Sequence, residues 1–82
     1  MRLDKFLKVS RIIKRRSVAN EACDSSRVEI NGRPAKAGAQ LKLNDIIKLK
    51  FGDKNFVFRV MNLAENVKKE DADAMYEIVN ED

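Results

Sequence analysis

The chain has no histidine and no tryptophan, and only one cysteine, one proline and three glycines among its 82 residues. Without imidazole it lacks the commonest general base and the commonest metal ligand. A single thiol, Cys23, cannot complete a zinc site. One cysteine also excludes an internal disulfide, which fits a reducing, cytoplasmic setting. No stretch near twenty residues is free of charge, so no membrane-spanning helix is expected. Met1-Arg2-Leu3-Asp4-Lys5 leads into a charged helix and not an apolar run, so no signal peptide is expected. Internal repeats, low-complexity blocks and Pro/Gly/Ser-rich linkers are also missing. A chain this short seldom builds a deep pocket, so a binding module is expected rather than an enzyme, without metal or cofactor.

What is present is charge and a modest apolar complement, 37% and 44% of the residues respectively. The apolar share supports a folded core over wholesale disorder. The net charge of +4 is unevenly spread. Residues 1–36 hold ten Lys/Arg against four Asp/Glu, or +6, and residues 37–60 hold five against two, or +3. Residues 61–82 hold two against seven, or −5. A basic body with an acidic end is the pattern of a polyanion binder whose tail serves another purpose. On this reading residues 1–60 form a basic, polyanion-binding domain and residues 61–82 an acidic C-terminal helical tail.

The apolar pattern orders the elements. Leu3, Phe6, Leu7 and Ser10 fall on one helical face, with Asp4 in the first turn. Ser17 reads as the N-cap of a second helix, although Asn20 replaces the glutamate of a full capping box. Val18, Ala19, Ala22 and Cys23 form that helix's buried stripe, which makes Cys23 a packed thiol. After Ser26 the period changes from helix to strand. Val28 and Ile30 alternate with Arg27 and Glu29, and Ile47, Leu49 and Phe51 alternate with Lys48 and Lys50. Asn31-Gly32 and Gly52-Asp53 read as hairpin turns, and Phe56–Val60 returns as a strand. Ala72, Met75, Tyr76 and Val79 repeat at helical spacing. The expected fold class is α+β: two N-terminal helices on a small, mostly antiparallel sheet, followed by an acidic C-terminal helix.

The chemistry lies in the cations. Arg2, Lys5, Lys8, Arg11, Lys14, Arg15, Arg16 and Arg27 cluster on and around the helix pair. Arginine offers a planar fork for bidentate phosphate contacts and lysine a mobile point charge. Backbone N–H groups near Ser17 and Val18 would add the pull of a helix N terminus. Asp4 has two readings, a helix-start acid or an ion pair that orients Arg16 or another cation toward RNA. Asn31-Gly32 reads as a pure turn, while Lys36 after it is placed against RNA backbone. The aromatics Phe6, Phe51, Phe56 and Phe58 fall on core faces, so recognition of shape and phosphate on structured RNA is favoured over reading of single-stranded bases.

The segments Arg2-Leu3-Asp4-Lys5-Phe6-Leu7, Ser10-Arg11, Lys14-Arg15-Arg16-Ser17, Ala22, Arg27-Val28-Glu29-Ile30-Asn31-Gly32 and Lys36 resemble the RNA-binding domain named after the small-subunit ribosomal protein S4. The resemblance covers residues 1 to about 50 and implies two helices against a small sheet, with structured RNA bound along the helix pair. Through Lys68-Lys69-Glu70 and Met75-Tyr76 it extends to a short bacterial ribosome quality-control branch of that family. That branch implies binding to large-subunit rRNA and peptidyl-tRNA on stalled, split large ribosomal subunits, while an RqcH-type tRNA-recruiting factor adds alanines to the nascent chain. It places Arg2, Asp4 and Arg16 on the rRNA/tRNA face; Arg11, Lys14 and Arg15 follow by position in the cluster. A monomer is expected off the ribosome.

Longer heat-shock members of the family carry a basic C-terminal extension, whereas this tail is acidic and favours docking on the body or on a protein partner. Three other functions compete with this one. A general rRNA-binding assembly or regulatory factor differs from the favoured reading only in the tail. A pseudouridine synthase needs a catalytic unit these residues do not hold. A DNA-reading helix pair is disfavoured by Asn20, Glu21 and Asp24 on the second helix.

Overall fold

A computed structural model describes residues 1–79, the side chain of Phe51 excepted. Two short helices come first, α1 (Leu3–Val9) and α2 (Arg16–Asp24). Strands β1 (Val28–Ile30), β2 (Arg33–Pro34), β3 (Ile46–Phe51) and β4 (Lys54–Val60) follow. A 3-10 helix (Lys69–Met75) then leads into β5 (Tyr76–Ile78). The five strands form one sheet in the order β2-β1-β3-β4-β5, with every pairing antiparallel.

The expected helix faces are the buried ones. Leu3, Phe6, Leu7 and Ser10 of the first helical stretch are buried, as are Ala19, Ala22 and Cys23 of the second. They pack on Val28, Ile47, Leu49, Phe58 and Val60 from the sheet. Phe58 is the centre of the aromatic core, with ring centroids 6.3 Å from Phe6, 5.4 Å from Phe56 and 5.6 Å from Tyr76. Val18 departs from expectation: it is 47% exposed. The small residues Ala19 and Ala22 set the packed face, and Val18 precedes it on the solvent side.

Both helices stop by the same device. Arg11 and Ser26 adopt φ of 64° and 63°, the left-handed conformation glycine usually supplies one residue past a helix end. Ser26 N–H donates to the Cys23 carbonyl and Arg27 N–H to that of Ala22, each at 3.1 Å. Arg11 N–H donates to Lys8 at 3.1 Å and Ile13 N–H to Leu7 at 3.0 Å. These bonds satisfy carbonyls that the helix cannot. At the other end, α2 starts on Arg16 with Arg15 as its flanking residue, and no side chain caps it. Ser17 therefore lies inside the first turn and is not the N-cap.

The Asn31-Gly32 turn forms as expected, with φ of 52° and 83° and Ile30 opposite Arg33, the two-residue hairpin that needs both angles positive. Asn31 does more than turn the chain. Its side-chain oxygen accepts from Ile46 N–H at 2.9 Å and its amide donates to Asp45 at 3.1 Å, which fastens the hairpin to the start of β3. The second hairpin joins Phe51 to Lys54 across Gly52, at φ 54°.

The C-terminal helix of the sequence reading is corrected. Residues 69–75 form a 3-10 helix, and the chain then straightens into β5, where Phe58, Arg59 and Val60 face Ile78, Glu77 and Tyr76. Ala72 and Met75 are spaced by three, which keeps them on one face in a 3-10 helix as well as in an α-helix, and both are buried. The edge of β4 supplies hydrogen bonds that a further helical turn at Tyr76 would forgo. The tail thus docks on the body, Met75 in the main core. Met75→Ala should destabilise the protein by about 2–4 kcal/mol. Glu70→Ala, at an exposed position, should change stability by less than about 0.5 kcal/mol, both read from denaturant midpoints.

Candidate nucleic-acid interface

Leu3 and Phe6 fix α1 in the core, and this turns Asp4 toward α2 rather than toward water. Asp4 is only 2% exposed. A carboxylate so buried requires charge and hydrogen-bond partners, and four donors reach it. Arg2 Nε lies 3.2 Å and Lys5 N–H 2.8 Å from Oδ1; Arg16 Nε lies 3.4 Å and Asn20 Nδ2 3.3 Å from Oδ2. Burial alone would raise the Asp4 pKa. The hydrogen bonds from Asn20 and Arg16, the Arg16 charge and the Lys5 amide outweigh it, holding the group below its ordinary 3.8.

Both arginines are gripped at Nε, and both side chains remain 49% exposed. Their terminal Nη groups have no carboxylate partner among the described residues. The carboxylate therefore fixes two guanidinium planes without consuming the donors that face solvent, which is the arrangement phosphate recognition needs. Both sequence readings of Asp4 have a counterpart here: it is an acid in the first turn of α1, and it is ion-paired with Arg2 and Arg16. The first amides of α1 are closed to ligands, since Leu3 N–H donates to Ala39 at 2.8 Å and Asp4 N–H to Ala37 at 3.1 Å. The uncapped start of α2 at Arg16 stays open, beside the fixed arginine.

The other candidates fall around this centre unevenly. Gly38 lies against the Arg2 guanidinium, which brings the exposed Lys36 loop to the same end of α1. Lys8 is exposed one turn along α1 from Asp4. Lys14 and Arg15 are exposed immediately before α2. Lys5 is turned away, 3.2 Å from Glu65 of the C-terminal segment. Arg11 faces an opening lined by Ile12, Lys54, Asn55, Phe56 and Tyr76 instead. Arg27 is exposed after α2 and is not among the four donors that reach Asp4. Asn20 belongs to the site through its bond to Asp4, a role the sequence does not signal: there it stands at the capping-box position and among the polar residues of the second helix.

Among the described residues no cluster of Cys, Asp and Glu is suited to a metal ion. Cys23 is on the buried face of α2, and burial, with the negative charges of Asp4 and Asp24, pushes its thiol up to about 11. No described helix is long and apolar enough to cross a membrane.

Residues 1–47, which hold the helix pair, its arginine–carboxylate centre and the first hairpin, match the family described as S4 domain. The chain belongs to the S4 domain family. Relatives extend the match to the full length. The RQC P-site tRNA stabilizing factor of Streptococcus pneumoniae is 52% identical over 81 residues, 99% of this chain and 92% of the relative. The protein of that name from Bacillus subtilis is 49% identical over 82 residues, 100% of this chain and 95% of the relative. The S4-type chain thus has the kinship with short ribosome quality-control proteins that its sequence suggested. Among solved structures, trimeric Heat Shock Protein 15 of Vibrio cholerae superposes with a TM-score of 0.87 at 25% identity, covering 96% of this chain and 81% of that one. The solution structure of a hypothetical protein gives a TM-score of 0.83 at 28% identity, with both chains fully covered.

The state of Asp4 predicts a pH dependence. Its folded pKa is depressed, so its contribution to stability is present above the ordinary 3.8 and is lost as pH falls through the folded value. Asp4→Asn should therefore be less stable than the parent at neutral pH by about 1–3 kcal/mol. The gap should narrow as acid neutralises the parent carboxylate. Denaturant midpoints of the two proteins from neutral pH into acid measure this, and a constant gap would contradict it.

Proposed function

We propose that this protein is a non-catalytic RNA-binding factor of ribosome-associated quality control, acting on the large ribosomal subunit. Its helix pair grips rRNA and peptidyl-tRNA on a stalled, split subunit and stabilises that tRNA while an RqcH-type tRNA-recruiting factor extends the nascent chain with alanine. The observation that carries the proposal is the pair Arg2 and Arg16, held at Nε by one buried carboxylate, with half-exposed side chains and no second carboxylate partner among the described residues. Lys8, Lys14, Arg15 and Lys36 supply mobile positive charge around that pair, Arg11 and Arg27 broaden the field, and Lys5 contributes through its amide to Asp4 more than through its ammonium. The name carried by full-length relatives, RQC P-site tRNA stabilizing factor, supports the tRNA and the quality-control context.

The mechanism is one of positioning. The factor adds no reacting group; it lowers the free energy of the tRNA-bound subunit by contacts made only in that state. A cytoplasmic location follows from that partner. Phosphate contacts favour binding with release of counterions, and rigid arginines lose less side-chain freedom on binding than flexible ones.

Arg16→Ala should weaken binding to large subunits by about 1–3 kcal/mol, the scale of charge-assisted hydrogen bonds. Parent affinity should fall with salt on a log–log slope of roughly −3 to −5, for about five phosphates neutralised. Sedimentation binding across a salt series measures both. Unchanged affinity in the variant, or a flat salt response, would refute the arginine–phosphate reading.

A further inference from the structure

A second site lies apart from the Asp4 centre, at the far end of α1. Arg11, Ile12, Lys54, Asn55, Phe56 and Tyr76 line a half-open pocket of about 420 Å³, inside the range of about 300–1,000 Å³ that small-molecule sites occupy. The Phe56 and Tyr76 rings meet nearly edge to face, 6.3 Å apart at 70°, so they form an aromatic corner. Both are half-buried, and Ile12 beside them is half-buried too. At the rim stand Arg11 and Lys54, exposed and without a carboxylate partner among the described residues. Asn55 brings an amide that can both donate and accept. Arg11 holds left-handed φ, 64°, where glycine would be unstrained. Its side chain lines this pocket and is not among the donors to Asp4.

We propose that this pocket receives one unpaired nucleotide of the bound RNA, its base stacked in the Phe56–Tyr76 corner and its phosphate held by Arg11 and Lys54. The inference rests on the RNA-binding reading above and adds to it a class of target: structured RNA with an extruded or unpaired base. Aromatic corners bind bases of any sequence through their π-faces, and paired bases cannot enter one. The cations favour a nucleotide over an uncharged ligand, and they face no competing acid among the described residues. An acidic peptide bearing an aromatic group has related chemistry; it lacks a base to stack, and the experiment separates the two.

The test uses the full chain with two RNA hairpins, one fully paired and one carrying a single unpaired 2-aminopurine. The parent protein should bind the second about tenfold more tightly and quench its fluorescence by stacking. Tyr76→Leu should abolish the quenching. Because Tyr76 also packs on Phe58, the exposed double variant Arg11→Gly with Lys54→Ala provides a check free of core effects, and it should lose the tenfold preference. Arg16→Ala should weaken binding to both hairpins and keep the preference. Equal binding of the two hairpins without quenching, or displacement of the quenched base by no variant, would overturn the pocket assignment while leaving the Arg2–Arg16 face standing. Binding of an acidic aromatic peptide that Tyr76→Leu abolishes, with no quenching of the unpaired base, would overturn it as well. Failure to bind either hairpin would overturn both readings.

Discussion

A single buried carboxylate organises this protein. Asp4 is covered by the two helices and satisfied by four donors from Arg2, Lys5, Arg16 and Asn20. Buried charge is costly unless it is paired and hydrogen-bonded. Here the pairing joins the residue before α1 to the first and fifth residues of α2, so it also fixes how the helices sit against each other. Two guanidinium groups are thereby pointed outward from one anchor. Removing the carboxylate would leave them attached but free to wander, and the Asn20 amide without its acceptor.

The rest of the fold serves that anchor. Leu3, Phe6 and Leu7 seat α1 on the sheet through Phe58, and Ala19, Ala22 and Cys23 let α2 approach closely. The carbonyls of Ala37 and Ala39 take the first amides of α1, which keeps a loop with Lys36 and Gly38 beside Arg2. Among the described residues the acidic segment is neither a free tail nor an α-helix. It adds β5 to the sheet, buries Met75 and sets Glu65 against Lys5 and Glu77 against Arg59. Those exposed pairs contribute little to stability. Their effect is to draw Lys5 away and leave the arginines as the dominant fixed donors.

Much of this was legible in the residues. Apolar spacing identified the α1 face and most of the α2 face, and Asn31-Gly32 identified its hairpin. The basic cluster and the family resemblance picked out Arg2, Asp4 and Arg16 together. What was not legible depended on contacts far apart in sequence. Ala72 and Met75 fit two helix types equally, and only the open edge of β4 decides that Tyr76 begins a strand. Ser17 has the chemistry of a cap, but the helix starts two residues earlier than such a cap would set it, on Arg16, whose side chain pairs with Asp4. Val18 looked apolar enough for the core, where two alanines sufficed. Phe56 and Tyr76 read as core aromatics, yet both also line the pocket that Arg11 faces. The left-handed turn at Arg11 carries no sequence signal, because glycine is its usual occupant.

The central claim is that Asp4 acts on RNA through the arginines it holds, and a double-mutant cycle tests it most directly. Affinity for large ribosomal subunits would be measured for the parent, Asp4→Asn, Arg16→Ala and the double variant. The account predicts a coupling of about 1 kcal/mol or more, the second substitution costing little once the first is made. Losses that simply add, within about 0.3 kcal/mol, would show that the carboxylate and the guanidinium act independently and would contradict it.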